Sequence, residues 1–133
     1  QQSLYHLQKP HIQLTAEDIA QARTYIRDVY CDGSIFEYIV SLVDATRNPR
    51  TYEMQNLGEY IHCGASPRAS IALYHAARAH AFLKNRTFMT PDDVKAIASD
   101  VLHHRILRTF HADADSVSNR EIINTILSHV PVP

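Results

Sequence analysis

The chain has 133 residues and a formal net charge of −1, a length that suits one domain with one hydrophobic core. With 45% hydrophobic and 20% charged residues and no basic excess, it has the balance of an ordinary globular protein, which argues against nucleic-acid binding. No apolar run approaches the ~20 residues that a membrane-spanning helix needs. Cys31 and Cys63 are too few for a disulfide scaffold, so we expect free thiols in a cytoplasmic protein.

Apolar residues recur at helical spacing in five stretches, which predicts a mainly α protein, a bundle of about five helices. The stretches cover residues 19–29, 35–43, 69–83, 94–101 and 122–130. Four of the predicted helices begin with a hydroxyl residue followed three positions later by an acid, the spacing of a capping box. These pairs are Thr15 with Asp18, Ser34 with Glu37, Thr90 with Asp93, and Ser118 with Glu121.

The segments between the helices have weaker patterns. Residues 48–64 lack clean periodicity and are predicted to form a packed loop with a short helix near residues 54–57. Residues 87–89 and 106–110 favour extended structure, and we expect them to pair as a small two-stranded β ribbon. Residues 111–116 are polar and acidic and are predicted to be an exposed loop.

The third predicted helix begins differently from the others. Ser66 is a good cap and Pro67 a good first residue, but Arg68 places a cation where the other starts place acids. Such a cation costs about 0.3–1 kcal/mol unless negative charge is nearby, and helix N-termini bind anions readily. Arg68 could therefore hold a phosphate, pair with a carboxylate from elsewhere in the fold, or lie in solvent, and these residues alone do not choose.

The run Gly64-Ala65-Ser66-Pro67-Arg68-Ala69 resembles a motif of the MoxR family of AAA+ ATPases, in the lid domain that follows the ATPase core. Residues 90–96 and 101–105 resemble the family's next block, and residues 38–40 and 45–47 match upstream. The similarity extends from about Ile12 to Pro133. The long connection before the motif and the polar pair His62-Cys63 depart from the family pattern.

The resemblance implies that residues 1–133 are an AAA+ lid domain, part of a longer ATPase whose core domain is absent. Arg68 would then be the sensor-2 arginine, which contacts the γ-phosphate of ATP and assists hydrolysis, with Ser66 and Pro67 beside the nucleotide. ATP and Mg²⁺ would be bound mainly by the core. The chain has three glycines and no phosphate-binding loop, and it begins with Gln1, so we expect a fragment that is inactive alone.

The resemblance also implies partners: the core domain, neighbouring subunits of a ring such as a hexamer, and von Willebrand A-type domain proteins. Hydrolysis would drive chaperone-like assembly or activation of client proteins. The resemblance gives His104, Arg105 and Arg47 a role at the nucleotide or subunit boundary, although a helix C-terminus favours cations in any case. Nine histidines invite a metal site, but none has ligand spacing, so we predict no bound metal.

Two other functions stay open at this point. A nucleic-acid-binding helix could use the cations of the third predicted helix and its end, which are Arg68, Arg78, Lys84 and Arg86. A protein-interaction domain without a nucleotide role could use exposed apolar residues, for which the candidates are Tyr5, Leu7, Tyr52 and Tyr60.

Overall fold

The computed structural model describes residues 10–133, so the candidates Tyr5 and Leu7 lie outside the described residues. This part of the chain is mainly α, as predicted, with one two-stranded sheet. The α-helices are α1 (Ala16–Arg27), α2 (Gly33–Arg47), α3 (Arg68–Leu83), α4 (Pro91–Leu102), α5 (Phe110–Ala114) and α6 (Asn119–His129). The strands are β1 (Ile61–Cys63) and β2 (Leu107–Arg108).

Three of the four predicted capping boxes are confirmed, at Thr15, Thr90 and Ser118. The box predicted for Ser34 and Glu37 is wrong. Helix α2 begins earlier, and the carboxylate of Asp32 accepts both the Ser34 backbone N–H (2.9 Å) and the Ser34 hydroxyl (2.6 Å). Asp is as good a cap as Ser, so the acid two positions upstream takes the role and Ser34 lies inside the helix.

The β ribbon exists, but its predicted partner strand was wrong. β2 pairs antiparallel with β1, with Ile61 opposite Arg108 and Cys63 opposite Leu107. Phe88 instead forms an isolated parallel bridge with Tyr30. The run at residues 87–89 lies at the start of α4, where Tyr30 pairs with it, whereas β2 lies beyond the other end of this 12-residue helix, about 18 Å away, where β1 pairs with it.

The connection between α2 and α3 is a packed loop, as predicted. It contains two 3-10 turns, Pro49–Tyr52 and Gln55–Glu59, and Met54 and Leu57 are buried. Residues 111–116 are mostly exposed, as predicted, but the prediction of a loop was wrong because residues 111–114 lie in α5. Thr109 caps that helix by accepting the Ala112 N–H, and Ala112 is fully buried.

The core lies where α2, α3, α4 and α6 meet. Helix α3 is central: its buried residues Leu73, Ala77 and Ala81 have no exposed surface, and small side chains there let neighbouring helices approach closely. Ile39, Leu42, Ile122 and Ile126 complete the core from α2 and α6. Helix α1 packs against α3 but has no buried residue of its own.

Asp93 holds the connected ends of the α3–α4 hairpin together. Its buried carboxylate accepts hydrogen bonds from Arg86 (2.6 and 2.5 Å) and the Thr90 N–H (2.7 Å), and it lies 2.7 Å from the His80 ring. Burial alone would raise the pKa of Asp93, but the hydrogen bonds from Arg86, His80 and Thr90 outweigh it and hold that pKa well below its usual range.

Replacing Asp93 with Asn should destabilise the domain by about 3 kcal/mol, because Arg86 would lose its buried counter-charge. Urea unfolding measures the loss. Asp92 is an exposed acid in the same turn, so Asp92→Asn should cost no more than about 1 kcal/mol.

Since folding lowers the pKa of Asp93, the contribution of its carboxylate to stability is complete above about pH 4 and is lost as the pH falls further. The difference in unfolding free energy between the unmodified protein and Asp93→Asn should therefore shrink at low pH. A difference that stays constant down to pH 2 would contradict the lowered pKa of Asp93.

Candidate functional site

The turn before α3 is fixed to the end of α2 by a close backbone contact. Gly64 lies so near α2 that a Cβ built there would be 2.3 Å from the Thr46 carbonyl oxygen. The next residue, Ala65, donates its N–H to Thr46 Oγ1 at 2.9 Å, and the Thr46 hydroxyl donates to the Val43 carbonyl at 2.6 Å. Both Thr46 and Ala65 are fully buried. The blocks at residues 45–47 and 64–69 are therefore one structural unit.

Helix α3 starts without a side-chain cap. Pro67 precedes the helix with helical dihedral angles (φ −55°, ψ −23°), which agrees with its predicted place at the start. The first turn closes on backbone carbonyls, since Ala69 donates to Ser66 O (2.8 Å) and Ser70 donates to Pro67 O (3.1 Å). The prediction that the Ser66 hydroxyl caps the helix was wrong for this reason. Ser66 is exposed, and its hydroxyl has no partner among residues 10–133.

Arg68 is an exposed cation at the electropositive end of α3. Among residues 10–133 it makes no ion pair, and residues 1–9 include no Asp or Glu. Helix α6 also has an arginine in its first turn, Arg120, but Glu121 follows it. Helix α3 has no acid in its first turn and none at its cap. Of the three alternatives for Arg68, pairing with an internal carboxylate is not found in the described part of the chain. Binding of a phosphate and exposure to solvent are left.

The other predicted basic residues lie at the same end of the bundle as Arg68. Arg68 lies twelve residues before His80, and Arg105 lies twelve residues after Asp93. Because His80 and Asp93 are in contact and each helical residue rises 1.5 Å, both arginines are about 18 Å along the hairpin from that contact. The pairing of Cys63 with Leu107 ties the same two segments together.

These neighbours differ in how much of their charge is available. His104 is exposed, whereas Arg105 is half-buried and donates its Nε–H to the Val101 carbonyl at 3.1 Å, closing the end of α4. Arg47 is exposed and follows Thr46 at the end of α2. Arg105 therefore has a structural role already, while His104 and Arg47 present their polar groups to solvent.

A cavity of about 590 Å³ with both polar and apolar lining adjoins this end, and sequence reasoning missed it. It lies between the end of α2, the two 3-10 turns and β1, so it is built mostly from the segment that lacks periodicity. Arg47, Arg50, Glu59 and His62 contribute its charged or titratable groups, and Arg68 is not among the lining residues. The proline and the closely spaced arginines of this connection were the available signal.

The structure also bears on the alternative of nucleic-acid binding through α3. Of the four cations proposed for that role, Arg78 is buried and Arg86 is bonded to Asp93. Two are left at the surface, Arg68 and Lys84, at opposite ends of the helix. A contact surface for a polyanionic duplex needs several aligned cations, so this arrangement is unfavourable for it.

Within residues 10–133, no group of three or more His, Cys, Asp or Glu side chains could hold a metal ion. None of the helices in that range has both the length and the apolar character that crossing a membrane requires.

The chain is similar in sequence and fold to known proteins. The AAA lid domain family model matches residues 55–126. Chaperone MoxR1 of Mycobacterium tuberculosis is 33% identical over 120 residues, which are 90% of this chain and 32% of that protein. The uncharacterized protein YeaC of Bacillus subtilis is 34% identical over 90% of this chain and 35% of its own length. A solved structure from Cytophaga hutchinsonii, assigned as an ATPase, superposes with a TM-score of 0.85 at 41% identity, covering 88% of this chain and 36% of that one.

The chain belongs to the AAA lid domain family. Its lid is of the MoxR type, as its similarity to Chaperone MoxR1 indicates. The chain spans about a third of the length of the curated relatives that it matches.

Replacing Gly64 with Ala should destabilise the domain by about 3 kcal/mol, because the new methyl group meets the α2 backbone rather than a movable side chain. Gly33→Ala is the matched control, since a Cβ at Gly33 meets nothing within 4 Å, and its effect should stay within about 1 kcal/mol. Chemical unfolding of both variants measures the difference. Equal stability of the two would show that the contact between Gly64 and Thr46 does not constrain the turn.

Proposed function

We propose that residues 1–133 form the C-terminal lid of a MoxR-type AAA+ ATPase, and that Arg68 contacts the γ-phosphate of ATP bound to a core domain outside this chain. One observation carries the proposal. Arg68 is an exposed guanidinium beside the uncapped N-terminus of α3, with no carboxylate partner among residues 10–133. A helix N-terminus and an arginine together form a strong site for phosphate oxygens.

The groups around Arg68 fit a phosphate ligand. Ser66 is exposed and its hydroxyl is not used for capping, so it can donate to a phosphate oxygen. Pro67 has no N–H and its ring fixes the backbone at the start of the helix. The contact between Thr46 and Ala65 holds the turn rigidly, which limits the reorganisation needed when nucleotide binds.

The lid would not catalyse hydrolysis alone. ATP and Mg²⁺ would be held mainly by the core, where the metal neutralises charge that develops on the phosphates. Arg68 would add its positive charge when the lid closes over the nucleotide, and closure would pass through the rigid α2–α3 unit.

The assignment to a MoxR-type ATPase also suggests which proteins this ATPase acts on and binds. Mycobacterial MoxR1 is named a chaperone, and we propose that this ATPase likewise acts on client proteins, by chaperone-like assembly or activation. The subunits would form a ring, such as a hexamer, in the cytoplasm, with von Willebrand A-type domain proteins as further partners. His104, Arg105 and Arg47 would lie at the boundary with nucleotide or with a neighbouring subunit, because they are at the same end as Arg68.

Arg68→Ala in the full-length protein should lower ATP turnover by about 10³-fold, the effect of losing an arginine at a transferring phosphate. Arg120→Ala is the matched control because Arg120 is also exposed in the first turn of a helix, and turnover should stay within about twofold of the unmodified protein. Circular dichroism melts should show both variants folded. Unchanged turnover in Arg68→Ala would defeat the proposal.

A further inference from the structure

Helices α2 and α3 share an exposed apolar surface that the proposed phosphate contact does not use. Phe36 is 50% exposed, Val40 43% and Ile71 59%, and we call these three with Tyr74 the α2–α3 patch. The ring of Phe36 meets the ring of Tyr74 edge to face, with 6.0 Å between centroids. Apolar side chains that are exposed together in this way commonly mark a binding surface.

The antiparallel arrangement of α2 and α3 makes the patch continuous. Thr46 contacts Ala65 at one end of the pair, and Phe36 contacts Tyr74 further along. Val40 lies six residues before Thr46, and Ile71 lies six residues after Ala65, so both are about 9 Å from the same contact and at the same level. Val40 and Ile71 thus lie level with each other, at a height between the aromatic pair and the start of α3.

A buried arginine adjoins the patch. Arg78 is only 9% exposed, and its guanidinium carbon lies 5.1 Å from the centroid of the Tyr74 ring. Its Nε has no hydrogen-bond partner, and no carboxylate among residues 10–133 pairs with it. Residues 1–9 contain no acid that could do so. Arg86, by contrast, has the counter-charge of Asp93.

Arg78 lies on the same side of α3 as the patch. Tyr74 is four residues before it and Ile71 seven, which is the spacing of one helix face. Burial of a cation without a counter-charge is unfavourable, and an arginine fork is best satisfied by a carboxylate. The face therefore combines exposed apolar side chains with one cation that lacks an internal anion.

We propose that the α2–α3 patch is the surface on which the ATPase core of the same polypeptide docks, through an apolar segment that presents a carboxylate to Arg78. This inference rests on the proposed function. Ile71 is three residues after Arg68 and lies about 4.5 Å further along the same side of α3, so a core that holds nucleotide at Arg68 is already beside the patch. The relatives are about three times as long as this chain, which leaves room for such a core.

Hydroxyl-radical footprinting of the full-length protein, diluted until it is monomeric and saturated with ADP, tests the docking. Phe110 is the matched control, because it is also a phenylalanine and is 94% exposed, against 50% for Phe36. If the lid is undocked, these exposures predict that hydroxyl radicals modify Phe36 about half as fast as Phe110. A core docked in about nine-tenths of the molecules lowers the rate at Phe36 about tenfold further.

Two results would overturn the inference. If Phe110 reacts only about twice as fast as Phe36 in the full-length protein, the α2–α3 patch is open to solvent there. Protection that appears only in oligomeric fractions would mean that a neighbouring subunit, and not the core of the same polypeptide, occupies the patch.

Variants at Arg78 test the proposed carboxylate. Arg78→Met keeps the length and packing but removes the charge, and should raise the modification of Phe36 about tenfold, as loss of a buried charge pair at an interface predicts. Arg78→Lys keeps the charge and should retain most of the protection, and circular dichroism should show both variants folded. Full protection in Arg78→Met would contradict the charge pair.

Failure of the docking is distinguishable from failure of the phosphate contact. If Arg68→Ala slows turnover while Phe36 reacts at the rate that its exposure predicts, the docking alone is wrong. If Phe36 is protected while Arg68→Ala turns over normally, the phosphate contact alone is wrong.

Discussion

The contact between the end of α2 and the turn before α3 determines the geometry of the candidate site. Gly64 is close enough to the Thr46 carbonyl that no side chain fits between them, and the Ala65 N–H is bonded to the Thr46 hydroxyl. The turn has little freedom to move, so the backbone of residues 66–68 is held in a fixed position relative to α2. The same contact aligns α2 with α3, and this alignment brings Val40 level with Ile71. The phosphate contact and the docking surface are therefore two proposed uses of one rigid pair of helices.

The two ends of the α3–α4 hairpin differ in how their charges are satisfied. At the connected end, Asp93 is buried and bonded by Arg86, His80 and Thr90, so the charges are neutralised internally. At the other end, Arg68, His104 and Arg47 are exposed, and none of them has an ion pair within residues 10–133. An end that stabilises the fold needs its charges paired, whereas an end that meets a polyanion needs them available. This division agrees with the proposed lid, in which the connected end of the hairpin contributes stability and the other end meets the nucleotide.

The sequence predicts the helices well because their apolar spacing and capping residues are local. The hydroxyls of Thr15 and Ser118 each accept an N–H group only three residues away, and Thr90 donates its own N–H to Asp93, so such contacts can be read from the chain. Some errors are local, because Asp32 rather than Ser34 caps α2, but the error in strand pairing concerns contacts between distant residues. β1 pairs with β2 across more than forty residues, and the Thr109 hydroxyl bonds to Glu59, which is 50 residues away. The cavity at residues 46–64 depends on how the connection folds against α2, which its proline and arginines do not specify, and the burial of Arg78 depends on how the helices pack. Arg68 was found because it breaks a local rule.

The proposed contact between Arg68 and the γ-phosphate is tested most directly by equilibrium binding of nucleotides. The affinities of the full-length protein for a non-hydrolysable ATP analogue and for ADP should be compared before and after Arg68→Ala. A charge-assisted hydrogen bond to a phosphate contributes about 1.5–3 kcal/mol, so the variant should bind the ATP analogue about tenfold or more weakly while its affinity for ADP is unchanged. An equal loss for both nucleotides, or no loss for either, would contradict the account.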